Sequence, residues 1–107
     1  MSNHSQDIAP IYSQLADDPD LYEIVKMFVE EMPTRIERLI KEFDDKNWDD
    51  LKNLVHQLKG SASCYGFGEV TPAAGKLELT LRHRLPEEDI QHSLIELLNI
   101  CRRMAIH

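Results

Sequence analysis

Apolar side chains recur at steps of three and four through Leu21, Ile24, Val25, Phe28, Met32, Ile36, Leu39, Ile40 and Phe43, the helical period sustained over about six turns. Asp18 and Pro19 supply a cap and a first-turn proline at the start of this stretch. Pro33 removes one backbone donor and its ring presses on the carbonyl of Val29, which predicts a kink, although the apolar phase continues across it. A second stripe follows, made of Leu51, Leu54, Val55, Leu58, Ala62 and Tyr65, with Asn47 as its N-cap and Asp49 and Asp50 in a dipole-favourable first turn. This second helix is expected over about 47–65, closed by Gly66 and Gly68, which both allow the left-handed backbone that ends many helices. Thr71 and Pro72 are positioned to cap a third helix carrying Val70, Ala74, Leu77 and Leu81 and stopping near His83 to Leu85. Pro86, Glu87, Glu88 and Asp89 open a fourth, with Ile90, Leu94, Leu97, Leu98, Cys101 and Met104 facing inward.

Ahead of these, Ile8, Ile11, Tyr12 and Leu15 suggest a short leading helix. No stretch alternates with period two, so strands are not expected. The pattern therefore predicts an all-α fold: an antiparallel up-and-down four-helix bundle with a short N-terminal capping helix, residues 1–107 forming one domain.

Composition narrows what such a bundle does. A chain of 107 residues with 42% hydrophobic positions has enough apolar surface for one core. No apolar run approaches the roughly 18 residues that span a bilayer, and the opening MSNHSQD lacks a basic and an apolar signal region, so a cytoplasmic protein is expected. The net charge of −7 repels nucleic acid and anionic lipid, and neither is expected as a partner. Lys52, Lys59, Lys76, Arg82 and Arg84 gather in the second half, where most of them read as solvated helix faces. Cys64 and Cys101 stand too far apart for a redox pair or a metal knuckle and read as reduced, partly buried apolar residues.

The chemistry is carried by the second helix. At about 100° per residue, His56 and Gly60 fall on the side away from the core stripe, and Lys59 stands one turn beyond His56 on its near flank. A glycine inside a helix costs roughly 0.5 to 1 kcal/mol relative to alanine and gains nothing by packing at an exposed position, so Gly60 points to close approach by something outside the chain. An imidazole with a cation three residues on and bare backbone four residues on is an accessible nucleophile with a countercharge and room for a bulky partner. Imidazole is substantially neutral near pH 7, and the neutral ring is the form that attacks.

The segment His56-Gln57-Leu58-Lys59-Gly60-Ser61-Ala62 resembles the signature of histidine-containing phosphotransfer domains, a histidine followed by x-Leu-Lys-Gly-Ser/Ala. The resemblance continues through Tyr65-Gly66-Phe67, to Leu77-Glu78, and upstream to Asp18-Pro19-Asp20 and Phe28-Val29-Glu30-Glu31. It implies a four-helix bundle in which His56 accepts a phosphoryl group, Lys59 supports its charge and Gly60 clears the docking path. Asn53 and Ser63 are taken as further partner-docking positions. Glu78 occupies the position from which a glutamine or glutamate contacts the histidine ring in many members of the family, and a carboxylate accepting a hydrogen bond from Nδ1 would fix the tautomer and leave Nε2 free to attack. The implied partners are a sensor or hybrid histidine kinase and a response-regulator receiver domain. No cofactor is expected on this chain, with Mg²⁺ supplied by the receiver, and neither kinase nor ATPase activity is expected.

Other readings are weaker on the residues. A degenerate bundle that only docks partners would not need His56, Lys59 and Gly60 together. A carboxylate-bridged metal bundle needs Glu-x-x-His pairs, and Asn53 stands three before His56. No P-loop or nucleotide-binding glycine-rich loop is present. Glu78 reads equally as a surface glutamate paired with Lys76 or Arg82. His4, His83, His92 and His107 lack ligand spacing and read as structural or incidental. The start at Met1 favours a free-standing carrier over a module of a hybrid kinase.

Overall fold

The apolar stripes resolve into four helices. The computed structural model describes residues 9–106, with β1 (Ile11–Tyr12), α1 (Pro19–Asp44), α2 (Trp48–Cys64), α3 (Val70–Arg82), α4 (Glu87–Cys101) and β2 (Met104–Ala105) in chain order. Each helix packs on the next, α2 with α3 most extensively, and α4 closes the ring against α1. Val25, Leu39, Leu51, Val55, Leu77 and Leu97 are almost wholly out of water at the centre.

Helix α1 begins as expected: Asp18 accepts a hydrogen bond from the Asp20 amide at 2.9 Å and Pro19 opens the first turn. It runs unbroken through Pro33, because Phe28, Met32, Ile36 and Leu39 on one buried line hold both halves against the same core. Ile24 departs from the expected core. It lies one 100° step off the Val25–Phe28–Met32 line and is 45% exposed. Asn47 occupies the cap position of α2, but its side chain donates to Glu42 Oε1 at 2.8 Å instead of capping the helix. Helix α3 starts at Val70, one residue before the expected cap, so Pro72 sits inside the first turn, where its missing N–H costs nothing. Met104 is buried as expected but belongs to β2, beyond the end of α4.

Three helix ends share one turn. After α1, α2 and α3, a residue with positive φ donates to the carbonyl three back, and the next residue donates to the carbonyl five back: Lys46 and Asn47, Gly66 and Phe67, Arg84 and Leu85. This double closure satisfies carbonyls that the helix leaves free. Of the two glycines expected to be left-handed only Gly66 is (φ 85°); the Gly68 carbonyl accepts from Thr71 in the turn that leads into α3.

The leading segment corrects the sequence reading. Ile11 and Tyr12 form a two-residue strand paired in parallel with Met104 and Ala105, and turns rather than a capping helix fill residues 14–17. Ile8 lies outside the described residues. The segment is held from both sides. The Ile11 amide donates to the Arg103 carbonyl at 2.7 Å and Arg103 Nε donates to the Ala9 carbonyl at 2.7 Å, while the Gln14 amide donates to the Gly66 carbonyl at 3.0 Å. Ser13 is buried and its hydroxyl donates to the Tyr65 carbonyl. These long-range bonds, not a helical period, decide the local conformation.

Gly66 is the most constrained point of this contact. A Cβ there would meet Ser13 Oγ at 2.5 Å and the Gln14 nitrogen at 3.0 Å, on a backbone that L residues rarely adopt. Gly66→Ala is therefore expected to destabilise the protein by about 2 kcal/mol or more, measured by urea unfolding; a loss below about 0.5 kcal/mol would show that the leading segment yields freely.

Candidate functional site

Helix α2 turns one side to the core through Leu51, Val55, Leu58 and Ala62, all fully buried. The opposite side carries Asn53, His56, Gly60 and Ser63, all exposed and spaced by three, four and three residues, so they form one stripe. The His56 side chain is 68% exposed. A Cβ built on Gly60 would meet nothing within 4 Å, so none of the described residues requires glycine there.

Helix α3 lies alongside and brings Glu78 up to this stripe. Its carboxylate retains only 8% of its side-chain exposure and is held by two groups. Oε1 accepts from Lys59 Nζ at 2.6 Å, and Oε2 lies 2.8 Å from His56 Nδ1. The Lys59 hydrogen bond, the largest influence, lowers the Glu78 pKa from the ordinary carboxylate range; burial opposes it, and the His56 hydrogen bond adds to the lowering. An ionised carboxylate can only accept, so the assignment that satisfies the network puts the proton on Nδ1 and, in the neutral ring, the lone pair on Nε2. Nε2 has no partner among the described residues.

His56, Lys59 and Glu78, named from the sequence, thus come together on two helices, with Gly60, Asn53 and Ser63 on the same exposed face of α2 as His56. The alternative pairing of Glu78 with Lys76 does not occur, since Lys76 bonds Glu96 on α4 at 3.1 Å. Arg82 does face the site: its guanidinium stands 4.0 Å from Glu78 Oε2, one helical turn on. The spacing of four residues between Glu78 and Arg82 was the available signal for it.

A family-model comparison matches the Hpt domain over residues 23–105. The chain belongs to the Hpt domain family. Hpt domains take part in phosphotransfer in two-component signalling, where they interact with kinase and receiver domains, and they are phosphocarriers rather than enzymes. No curated protein and no solved structure is significantly similar to this Hpt domain.

Among the described residues, no group of three histidine, cysteine or acidic side chains is placed to hold a metal ion, and no helix is long and apolar enough to cross a membrane. His83 ends α3 and His92 is exposed on α4; His4 and His107 lie outside the described residues. Cys101 is buried, which pushes its thiol up to about 12. Cys64 is free and exposed, not partly buried as expected, because it falls off the Leu58–Ala62 line near the end of α2.

A carboxyl group whose pKa is lowered by folding contributes stability that is complete above its unfolded value and lost as pH falls through the folded one. Glu78→Gln is therefore expected to cost on the order of 1 kcal/mol at pH 7 and less at pH 3, below the unfolded value, measured by urea unfolding at the two pH values. An equal cost at both would show that shape rather than charge holds this residue.

Proposed function

We propose that this Hpt domain is a phosphorelay carrier in which His56 accepts a phosphoryl group on Nε2, from a kinase or a receiver aspartate, and passes it to the aspartate of a response-regulator receiver domain. The observation that carries this reading is the division of the His56 ring: Nδ1 is engaged by a buried, ionised Glu78, while Nε2, on an exposed face, has no partner among the described residues. In the transfer, the Nε2 lone pair forms the N–P bond as the P–O bond of the donor breaks, and the departing oxygen keeps the electron pair. The Nδ1 proton stays in place, stabilised by Glu78. Lys59 supplies countercharge beside the ring. Gly60, with Asn53 and Ser63, leaves the stripe open to a docking receiver.

The reading takes residues 1–107 as one cytoplasmic domain with its helices up and down in antiparallel order, which the short connections at 45–47, 65–69 and 83–86 favour. Transfer between histidine and aspartate needs charge neutralisation on both sides of the moving group. Lys59 serves one side, and the Mg²⁺ of the receiver serves the other. The carrier itself has neither ATPase nor autokinase activity.

Two outcomes test this. Incubation with a phosphorylated receiver domain is expected to leave acid-labile, base-stable phosphate on the protein, and His56→Gln is expected to abolish it while changing unfolding free energy by no more than about 1 kcal/mol. Full phosphorylation of that variant would sink the assignment. Gly60→Gln is expected to raise stability by up to about 1 kcal/mol and yet slow transfer, since its side chain enters space that is open in the free protein. A variant that is less stable but transfers normally would assign Gly60 a structural role instead.

A further inference from the structure

In the resting site the Lys59 ammonium is already committed. It bonds Glu78 Oε1 at 2.6 Å, and Glu78, 8% exposed, has little water to fall back on. A phosphoryl group on Nε2 then brings a second claim on the same ammonium. Glu78, Lys59 and a neutral His56 sum to zero formal charge. After transfer the ring, with Nδ1 still protonated, carries one positive charge and the phosphoryl group two negative, which leaves the three residues at minus one. The Arg82 guanidinium restores zero. It stands 4.0 Å from Glu78 Oε2, just beyond hydrogen-bonding distance, on a side chain that is 60% exposed, one turn along the same helix.

Resting on the reading of His56 as phosphoacceptor, we propose that Arg82 is a positioning residue for the phosphorylated state. When the phosphoryl group draws Lys59 away, Arg82 closes on Glu78 and keeps that carboxylate ionised against His56 Nδ1. Arg82 has no role in the resting state, in which Lys59 already satisfies Glu78. It faces Oε2, the oxygen that His56 Nδ1 already engages, and its planar fork spans a carboxylate whose Oε1 Lys59 has vacated.

Phosphoramidate tests this without a protein partner. Nε2 attacks phosphorus, the P–N bond breaks, and the protonated nitrogen leaves as ammonia with the electron pair. Wild type, Arg82→Ala, Arg82→Lys, Glu78→Gln and the double variant Glu78→Gln/Arg82→Ala are compared by phosphorylation rate, and the His56 Nδ1–H signal is followed by ¹⁵N NMR. Arg82→Ala is expected to leave the resting Nδ1–H signal and the melting curve unchanged, to slow phosphorylation about two- to five-fold, as for loss of one partly exposed ion pair, and to lose the Nδ1–H signal only after phosphorylation. Arg82→Lys is expected to recover most of the rate. Removing Arg82 in the Glu78→Gln background is expected to add nothing, because no carboxylate remains to be held. An unchanged rate in Arg82→Ala would overturn the proposal while leaving His56 as carrier. An equal slowing with and without Glu78 would also overturn it, by showing that Arg82 acts on the phosphoryl group directly. Failure of the wild type to take phosphate at His56 would overturn the carrier reading and this inference with it.

Discussion

A carboxylate removed from water has to be given charges or donors in exchange, and the polar architecture around His56 follows from that requirement at Glu78. Lys59 and the imidazole meet it from one helix, Arg82 stands by on the other, and the short distances to the first two are the result. Because Glu78 stays ionised, it cannot donate, and the hydrogen bond to the ring has only one sense. The tautomer of an exposed histidine is thereby set by a buried group. The position of Glu78 depends in turn on the core: Leu77 and Leu81 on the same helix are buried beside it, and α3 makes its most extensive contacts with α2.

The stripe on the outer face of α2 shows the opposite economy. Asn53, His56, Gly60 and Ser63 contribute nothing to the core, and Gly60 lowers helix stability where an alanine would fit without contact. Stability is gathered on one side of the helix and access kept on the other. Seventeen residues are enough to do both, because a 3.6-residue period separates the two faces cleanly.

Much of this was legible in the residues. Helices were readable because their period is local: the spacing of Phe28, Met32, Ile36 and Leu39 overrides Pro33, and Val55 sets the phase that exposes His56. What escaped reading depends on distant partners. β1 and β2 have two residues each, too short to show any alternation, and pair across the whole length of the chain. Lys46 and Arg84 close their helices in the left-handed region without the glycine that advertises such turns. Glu78 was placed near His56 by its resemblance to a motif, but its burial and its bond to Lys59, 19 residues away, come from how α2 and α3 are packed. Ile24 was misread because a helix of 26 residues has more apolar positions than its neighbours can cover.

The parallel sense of the β1–β2 ladder has a mechanical side. Chain preceding Ile11 leaves one end of the ladder, and chain following Ala105 leaves the other, the two strands lying side by side in register. Tension applied through the two ends of the domain therefore slides the strands along each other and strains their hydrogen bonds together, in shear, instead of peeling them apart one at a time. A clasp of only two residues per strand gains disproportionately from that geometry. It places the first resistance to stretching at the seam between the termini, so that α2 and α3, which position His56 and Glu78, bear load only after the seam has given way.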